Sequence, residues 1–414
     1  MKTKITQMKN NTLLMRWVLS ALLIGGCYAN LFAQTGSATD SALLDRVSAL
    51  EQQANYHKTG EDHFMVVGLT TFGFVSSKTT NTVDGISTKS KFNNFPDANH
   101  FEFSPMFLWR HGTKFLMEFE PSFSNNGLGV NWADISYFVA PNVILRAGYL
   151  VLPFGTYSKR LAAGWINKFA TDPIGISRMT PADYGIEVEG GLPLGNMKMS
   201  YDFSLTTSNQ LMADGTLSSG GLGENNNHKT ITGRLSLLPL SNSSLEMGIS
   251  GMYGKIGSPE TAFQNATGKS YAFDLNYVKT FAPILLNFKT QYNIQNISNE
   301  NYVSPLDSTQ TYSFNNHTTS LFTQCSIRPT GANNFLRDCE LAGRYSMYNT
   351  PANSTSGSNQ HSFAIGLNYW LSWRSVFKLT YDIYTGNSTA SKALNAYTGT
   401  TKTNALYLQF SIQL

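Results

Sequence analysis

Three cysteines in 414 residues are too few for a disulfide framework. Long apolar runs are scarcer still. One alone approaches the roughly 20 residues that a membrane helix needs, and it lies near the N-terminus, which excludes a polytopic helical membrane protein. A soluble chain of this length usually divides into two or more domains, yet no Pro-, Gly- or Ser-rich linker divides this one. Positive charge is not in excess outside the N-terminus. Of the 30 Lys and Arg, four (Lys2, Lys4, Lys9, Arg16) fall in residues 1–33, where there is no acid, leaving 26 bases against 26 acids. The pI of 8.7 therefore belongs to the first residues, and nothing in the charge argues for nucleic acid as a partner. Metal-ligand spacing, a phosphate loop and a nucleotide fingerprint are also absent, so the sequence calls for no cofactor and no metal.

Aromatic residues are plentiful: 26 Phe, 20 Tyr and 6 Trp, too many for a disordered chain. At the N-terminus a basic stretch to Arg16 precedes an apolar segment from Trp17 to Gly25 and then Leu31-Phe32-Ala33-Gln34. That layout predicts a signal peptide over 1–33, cleaved after Ala33, and hence export. A second reading takes Ile24-Gly25-Gly26-Cys27 as an imperfect lipobox with Cys27 acylated. Residues 34–61 form a leader in which Leu43, Leu44, Val47 and Leu50 recur at helical spacing, predicting a short periplasmic amphipathic helix.

From residue 62 to 414 the period is two, the signature of strands with one apolar and one polar face. Phe115, Met117 and Phe119 alternate with Glu118 and Glu120, and Tyr184, Ile186 and Val188 with Glu187 and Glu189. Leu145, Ala147 and Tyr149 flank Arg146, and the chain closes on Leu406, Leu408, Phe410, Ile412 and Leu414. About sixteen such strands can be counted, many keeping phase for about ten residues, the length a tilted strand needs to cross a bilayer. Their connections alternate between short turns and long Asn/Ser/Thr/Gly-rich loops, the first of these loops at roughly 78–98, as successive hairpins at opposite rims of a barrel must. Aromatics near strand ends (Phe101, Trp109, Tyr137, Tyr149, Tyr253, Tyr271, Trp370, Trp373) fit an interfacial girdle. These features predict an all-β, transmembrane antiparallel β-barrel in the cell outer membrane. Cys325 and Cys339 fall on the apolar phase of neighbouring strands; a turn centred near Ala332 would set them opposite each other for a disulfide, and the competing reading, preferred here, is of two unpaired small apolar residues.

A barrel of this size encloses a lumen too wide for side chains to fill. The longest connection, Pro153 to Ala182, is the third long loop, and its Phe154, Tyr157, Leu161, Trp165, Ile166, Phe169, Ile174 and Ile176 suit a segment packed on the inner wall, with a helical turn around Leu161 to Lys168. It holds Lys159, Arg160, Lys168 and Arg178 against Asp172. Such bases at a narrow point would favour anions, joined by Arg146, unless Glu118, Glu120, Glu187 and Glu189 pair with them.

Leu145-Arg146-Ala147-Gly148-Tyr149 followed by Pro153-Phe154-Gly155 resembles the strand-to-loop signature of the phosphate-selective porin O and P family, and Gly164-Trp165-Ile166-Asn167-Lys168 is similar to its more distant relatives. The resemblance spans roughly 100–190 and implies a sixteen-stranded trimeric channel passing anions. The residues themselves predict a porin for passive diffusion of small hydrophilic solutes. A plugged structural or adhesive surface barrel, or the barrel component of a larger outer-membrane complex, is the alternative. A barrel enzyme finds no support, because none of the seven histidines has a recurring Ser or acidic partner.

Overall fold

A computed structural model describes residues 62–94, 101–125, 127–179, 182–218, 228–259, 261–331, 333–394 and 398–414. The expected signal peptide, Cys27 and the leader helix lie outside the described residues.

Alternation of apolar and polar residues gives each strand two chemically different faces, and the ladder follows from it. The chain begins with β1 (His63–Val83), whose far end turns back as β2 (Ile86–Asn94). Then follow β3 (Glu102–His111), β4 (Phe115–Ser124), β5 (Gly127–Ala140), β6 (Val143–Val151), β7 (Ala182–Leu194), β8 (Met197–Thr206), β9 (Thr230–Leu238) and β10 (Leu245–Lys255). Next come β11 (Thr267–Phe281) and β12 (Ile284–Ile297). A small loop hairpin, β13 (Tyr302–Val303) with β14 (Thr311–Tyr312), precedes β15 (His317–Pro329), β16 (Cys339–Asn349), β17 (Ser358–Ser372), β18 (Ser375–Ser388) and β19 (Thr400–Gln413). Every wall strand pairs antiparallel with its sequence neighbour, and β1 pairs with β19 (Phe72 opposite Phe410), which closes the sheet. Sixteen strands make the wall, since β2 is only the returning arm of the β1 hairpin. Closure leaves the wall without an unpaired edge, the condition for a sheet in hydrocarbon.

The apolar phase faces out. Phe273, Ile365, Leu367, Phe377 and Leu408 are exposed, while their alternates Asp274, Ala364, Asn368, Lys378 and Gln409 are buried inside. In a soluble protein this pattern would be inverted; here lipid is the outer solvent. Pro121, which cannot donate to a ladder, sits where the β4–β5 register shifts, as a bulge requires.

Three expectations need correction. Residues 78–98 read as a loop because they are polar, but through Asn94 they form the β1–β2 hairpin standing beyond the point where β3 takes over pairing with β1. Trp370 is not a girdle residue: it is 8% exposed and donates its indole N–H to Glu340 Oε2 inside the barrel. Trp373, at 56% exposure, does lie on the outside. The helical turn placed at 161–168 is centred earlier, at Tyr157–Leu161, and a single turn at 163–167 follows it. Cys325 stands opposite Gly343 and Cys339 opposite Tyr369, so the two thiols do not face each other and both are free.

Candidate functional site: the segment between β6 and β7

A loop placed inside a barrel must find partners for its main-chain polar groups, and here the inner wall supplies them. The loop starts along β10 and β11, where Leu152 and Phe154 pack on Met252 and Ala272. Gly155 N donates to Ser250 Oγ (3.0 Å), and Thr156 N and Tyr157 N both donate to Gln291 Oε1 of β12 (2.9 and 3.0 Å). Tyr157, Leu161 and Ile176 then surround Phe322 of β15, with the two rings edge to face at 5.4 Å. Phe169 lies on Ala342 and Ala364. Small wall residues are needed there: a Cβ on Gly366 would stand 3.2 Å from the Phe169 ring.

The main chain of the stretch 168–172 is held by four wall side chains. Arg344 of β16, 1% exposed, donates to Thr171 O (2.7 Å), Thr171 Oγ1 (2.7 Å) and Asp172 O (3.2 Å), with its guanidinium 4.5 Å over the Phe169 ring. Asn368 donates to Lys168 O, Lys378 Nζ donates to Phe169 O, and Ala170 N donates to Thr380 Oγ1. Within the loop, Tyr157 OH donates to Asp172 (2.7 Å) and accepts from Asn167. Burial, and next the Asp172 charge, push the Tyr157 phenol well above its ordinary pKa. Gly155 and Gly175 have φ of +68° and +74°, and a Cβ at Gly175 would fall 2.1 Å from the Tyr348 ring.

The charges meet in pairs. Lys159 Nζ sits among Glu187 (2.6 Å), Glu189 (2.9 Å) and Asp202 (3.5 Å). Burial alone would lower the Lys159 pKa, but those three carboxylates outweigh it and raise it. Arg160 reaches Glu246 (2.9 Å), which also accepts Arg234, itself bound to Asp274. Lys168 pairs with Glu340 (3.1 Å) over the Trp370 ring. Arg146 bridges Asp134 (2.7 Å), Glu118 and Glu189, stacked over Trp132. Among the described residues Glu120 accepts from Asn131 Nδ2, which also bonds Glu102.

All nine residues singled out from sequence thus belong to the lumen or its loop, and the structure brings seven of them into ion pairs. The local excess of base in the loop is consumed: Lys159, Arg160 and Lys168 each face a wall carboxylate, and among the described residues only Arg178 of the four has none within 4.0 Å. Arg178 instead lies close to Tyr348 and Tyr384. Sequence reading missed Arg344, Lys378, Gln291 and Asn368. Each lies on a polar strand phase, but only the third dimension shows that the loop crosses to them.

No protein-family profile and no curated protein sequence matches the chain. Among solved structures, the outer-membrane channel DcaP of Acinetobacter baumannii superposes with a TM-score of 0.54 at 11% identity, covering 86% of this chain and 99% of that one. An anion-selective porin from Comamonas acidovorans gives 0.51 at 11% identity, covering 86% and 100%. Salmonella typhi OmpF in complex with daunomycin gives 0.51 at 12% identity, covering 85% and 97%. The fold is therefore that of the outer-membrane porins.

Proposed function

We propose that this chain is a porin: a water-filled channel for passive diffusion of small hydrophilic solutes, narrowed by the third long loop. The observation that carries this reading is that residues 154–176 lie on the inner wall of a sixteen-stranded barrel, bound by wall side chains from β10 to β18. A barrel of sixteen strands leaves room for an aqueous path even with a loop inside it. Likeness to the porin structures above supports the class, and the resemblance of 145–155 to the phosphate-selective family supports a homotrimer. Phosphate itself as the solute is disfavoured by the wall acids that meet the loop bases. Planar-bilayer recording of purified protein should give a stable open conductance, and a folded barrel that never conducts would refute the proposal.

One observation favours the alternative of a plugged surface barrel. Loops between β8 and β15 pack on each other through Leu211, Ile256, Ala266, Ile297, Tyr302 and Phe314, and Asn316 donates to Gly215 O across them. Ordered long loops suit a display surface. The same recording separates the two.

A further inference from the structure

Charge inside this barrel is sorted by side, and the two sides differ in access to the lumen. The strands β12 to β18 contribute Lys289, Arg344 and Lys378, which are 6%, 1% and 1% exposed. Arg344 and Lys378 donate to carbonyls of the loop, and Lys378 also to Gln409. Lys168, the loop base on this side, is tied to Glu340. These cations are structural: they hold the partition or lie beneath it.

The opposite arc, β3 to β8, carries carboxylates that remain in reach of water. Glu118 and Glu189 are 19% and 22% exposed, Glu102 and Glu120 are half-buried, and Asp172 on the loop is exposed. Asp134, Glu187 and Asp202 stand behind them and pair with Arg146 and the loop's Lys159. Glu102 and Glu120 have no base within ion-pair distance among the described residues and are joined through Asn131. A cavity of about 330 Å³ opens along the loop between the two sides, where Thr71, Glu102 and Gln409 of β1, β3 and β19 and Lys378 of β18 border it together with Asn167 and Asp172.

We infer that the conducting path runs between the loop and the side of the wall formed by β1 and β3 to β5, and selects for cations and cationic small solutes, with Glu102 and Glu120 as specificity-determining residues. The physical reason is access. A buried base engaged with carbonyls contributes little to the potential seen by a hydrated ion, whereas a half-exposed carboxylate contributes directly. The anion preference suggested by the loop's own composition is thereby reversed, because three of its four bases, Lys159, Arg160 and Lys168, are met by wall carboxylates. This inference rests on the channel reading.

Reversal potentials in a tenfold KCl gradient test it. Wild type should favour K⁺ over Cl⁻. A carboxylate about 6 Å from a hydrated ion changes its occupancy about threefold, so the double variant Glu102→Gln/Glu120→Gln should lower the permeability ratio at least threefold. Lys289→Met should leave the ratio within twofold, whereas a path lined by the buried bases would become markedly more cation-selective. Wild-type reversal on the chloride side, or a larger shift in Lys289→Met than in the double variant, overturns the inference while the channel reading stands. A folded barrel with no conductance overturns both.

Discussion

Arg344→Met is the most direct probe of how the loop is held. The substitution keeps the aliphatic stem and removes a guanidinium that makes three hydrogen bonds to Thr171 and Asp172 and stacks on Phe169. Hydrogen bonds to charged groups contribute about 1.5–3 kcal/mol each when measured singly, but bonds from one group are not additive. Two carbonyls that lose this donor can recover water once the loop lifts, so we expect docking to weaken by about 3–4 kcal/mol. At 1.4 kcal/mol per decade, the undocked population rises ~10²- to 10³-fold. The other anchors, Gln291, Asn368 and Lys378, remain. The loop should therefore open transiently while the barrel stays folded. Trypsin has four sites in the segment, after Lys159, Arg160, Lys168 and Arg178. In the folded wild type these should be cut slowly, in Arg344→Met at least ten times faster, and single-channel records should show added noise and a larger mean conductance. Arg344→Lys, which retains charge but not the planar fork, should fall between them. Equal cleavage rates and identical conductance in wild type and Arg344→Met would show that this contact does not hold the loop.

Other tests follow from single contacts. Gly175→Ala places a Cβ 2.1 Å from the Tyr348 ring at a φ of +74°, and should weaken loop docking by about 2–3 kcal/mol, read by the same proteolysis while the barrel itself stays folded. Tyr157 has a pKa raised by burial and by Asp172, so its neutral form is the one the docked loop binds. Its contribution should be full below the ordinary value of 10.0 and fall as pH rises above it, making proteolysis faster only in alkali. Tyr157→Phe should lose about 1 kcal/mol from the Asp172 bond and abolish that alkaline sensitivity. Phe273→Lys puts a charge on the lipid face of β11, at a side chain 54% exposed, and should cost about 2–4 kcal/mol of barrel stability in urea refolding into vesicles.

Much of the architecture was legible because lipid and water sort residues locally. An apolar side chain at every second position, repeated for about ten residues, can satisfy a bilayer in only one orientation, so the inward and outward phases at Arg146, Glu187, Lys378 and Phe410 follow from the sequence once closure is granted. Short and long connections alternate for the same reason, since adjacent hairpins emerge at opposite rims. Local composition misled where a segment's polarity reported its solvent and not its backbone, as at 78–94, where exposed polar residues form a protruding hairpin. Trp370 misled because an aromatic near a strand end can face either way, and its partner Glu340 lies on another strand.

What the sequence by itself determined was the wall: the strand phase, the inward acids and bases, and a third loop too apolar to stand in solvent. Only the tertiary structure decided which of those charges meet. Lys159 lies 28 residues from Glu187 and Lys168 lies 172 from Glu340, and a Coulomb interaction depends on distance in space, which no spacing along the chain encodes. The closed barrel brings these groups together, and by doing so turns a basic loop into a neutral one facing an acidic arc.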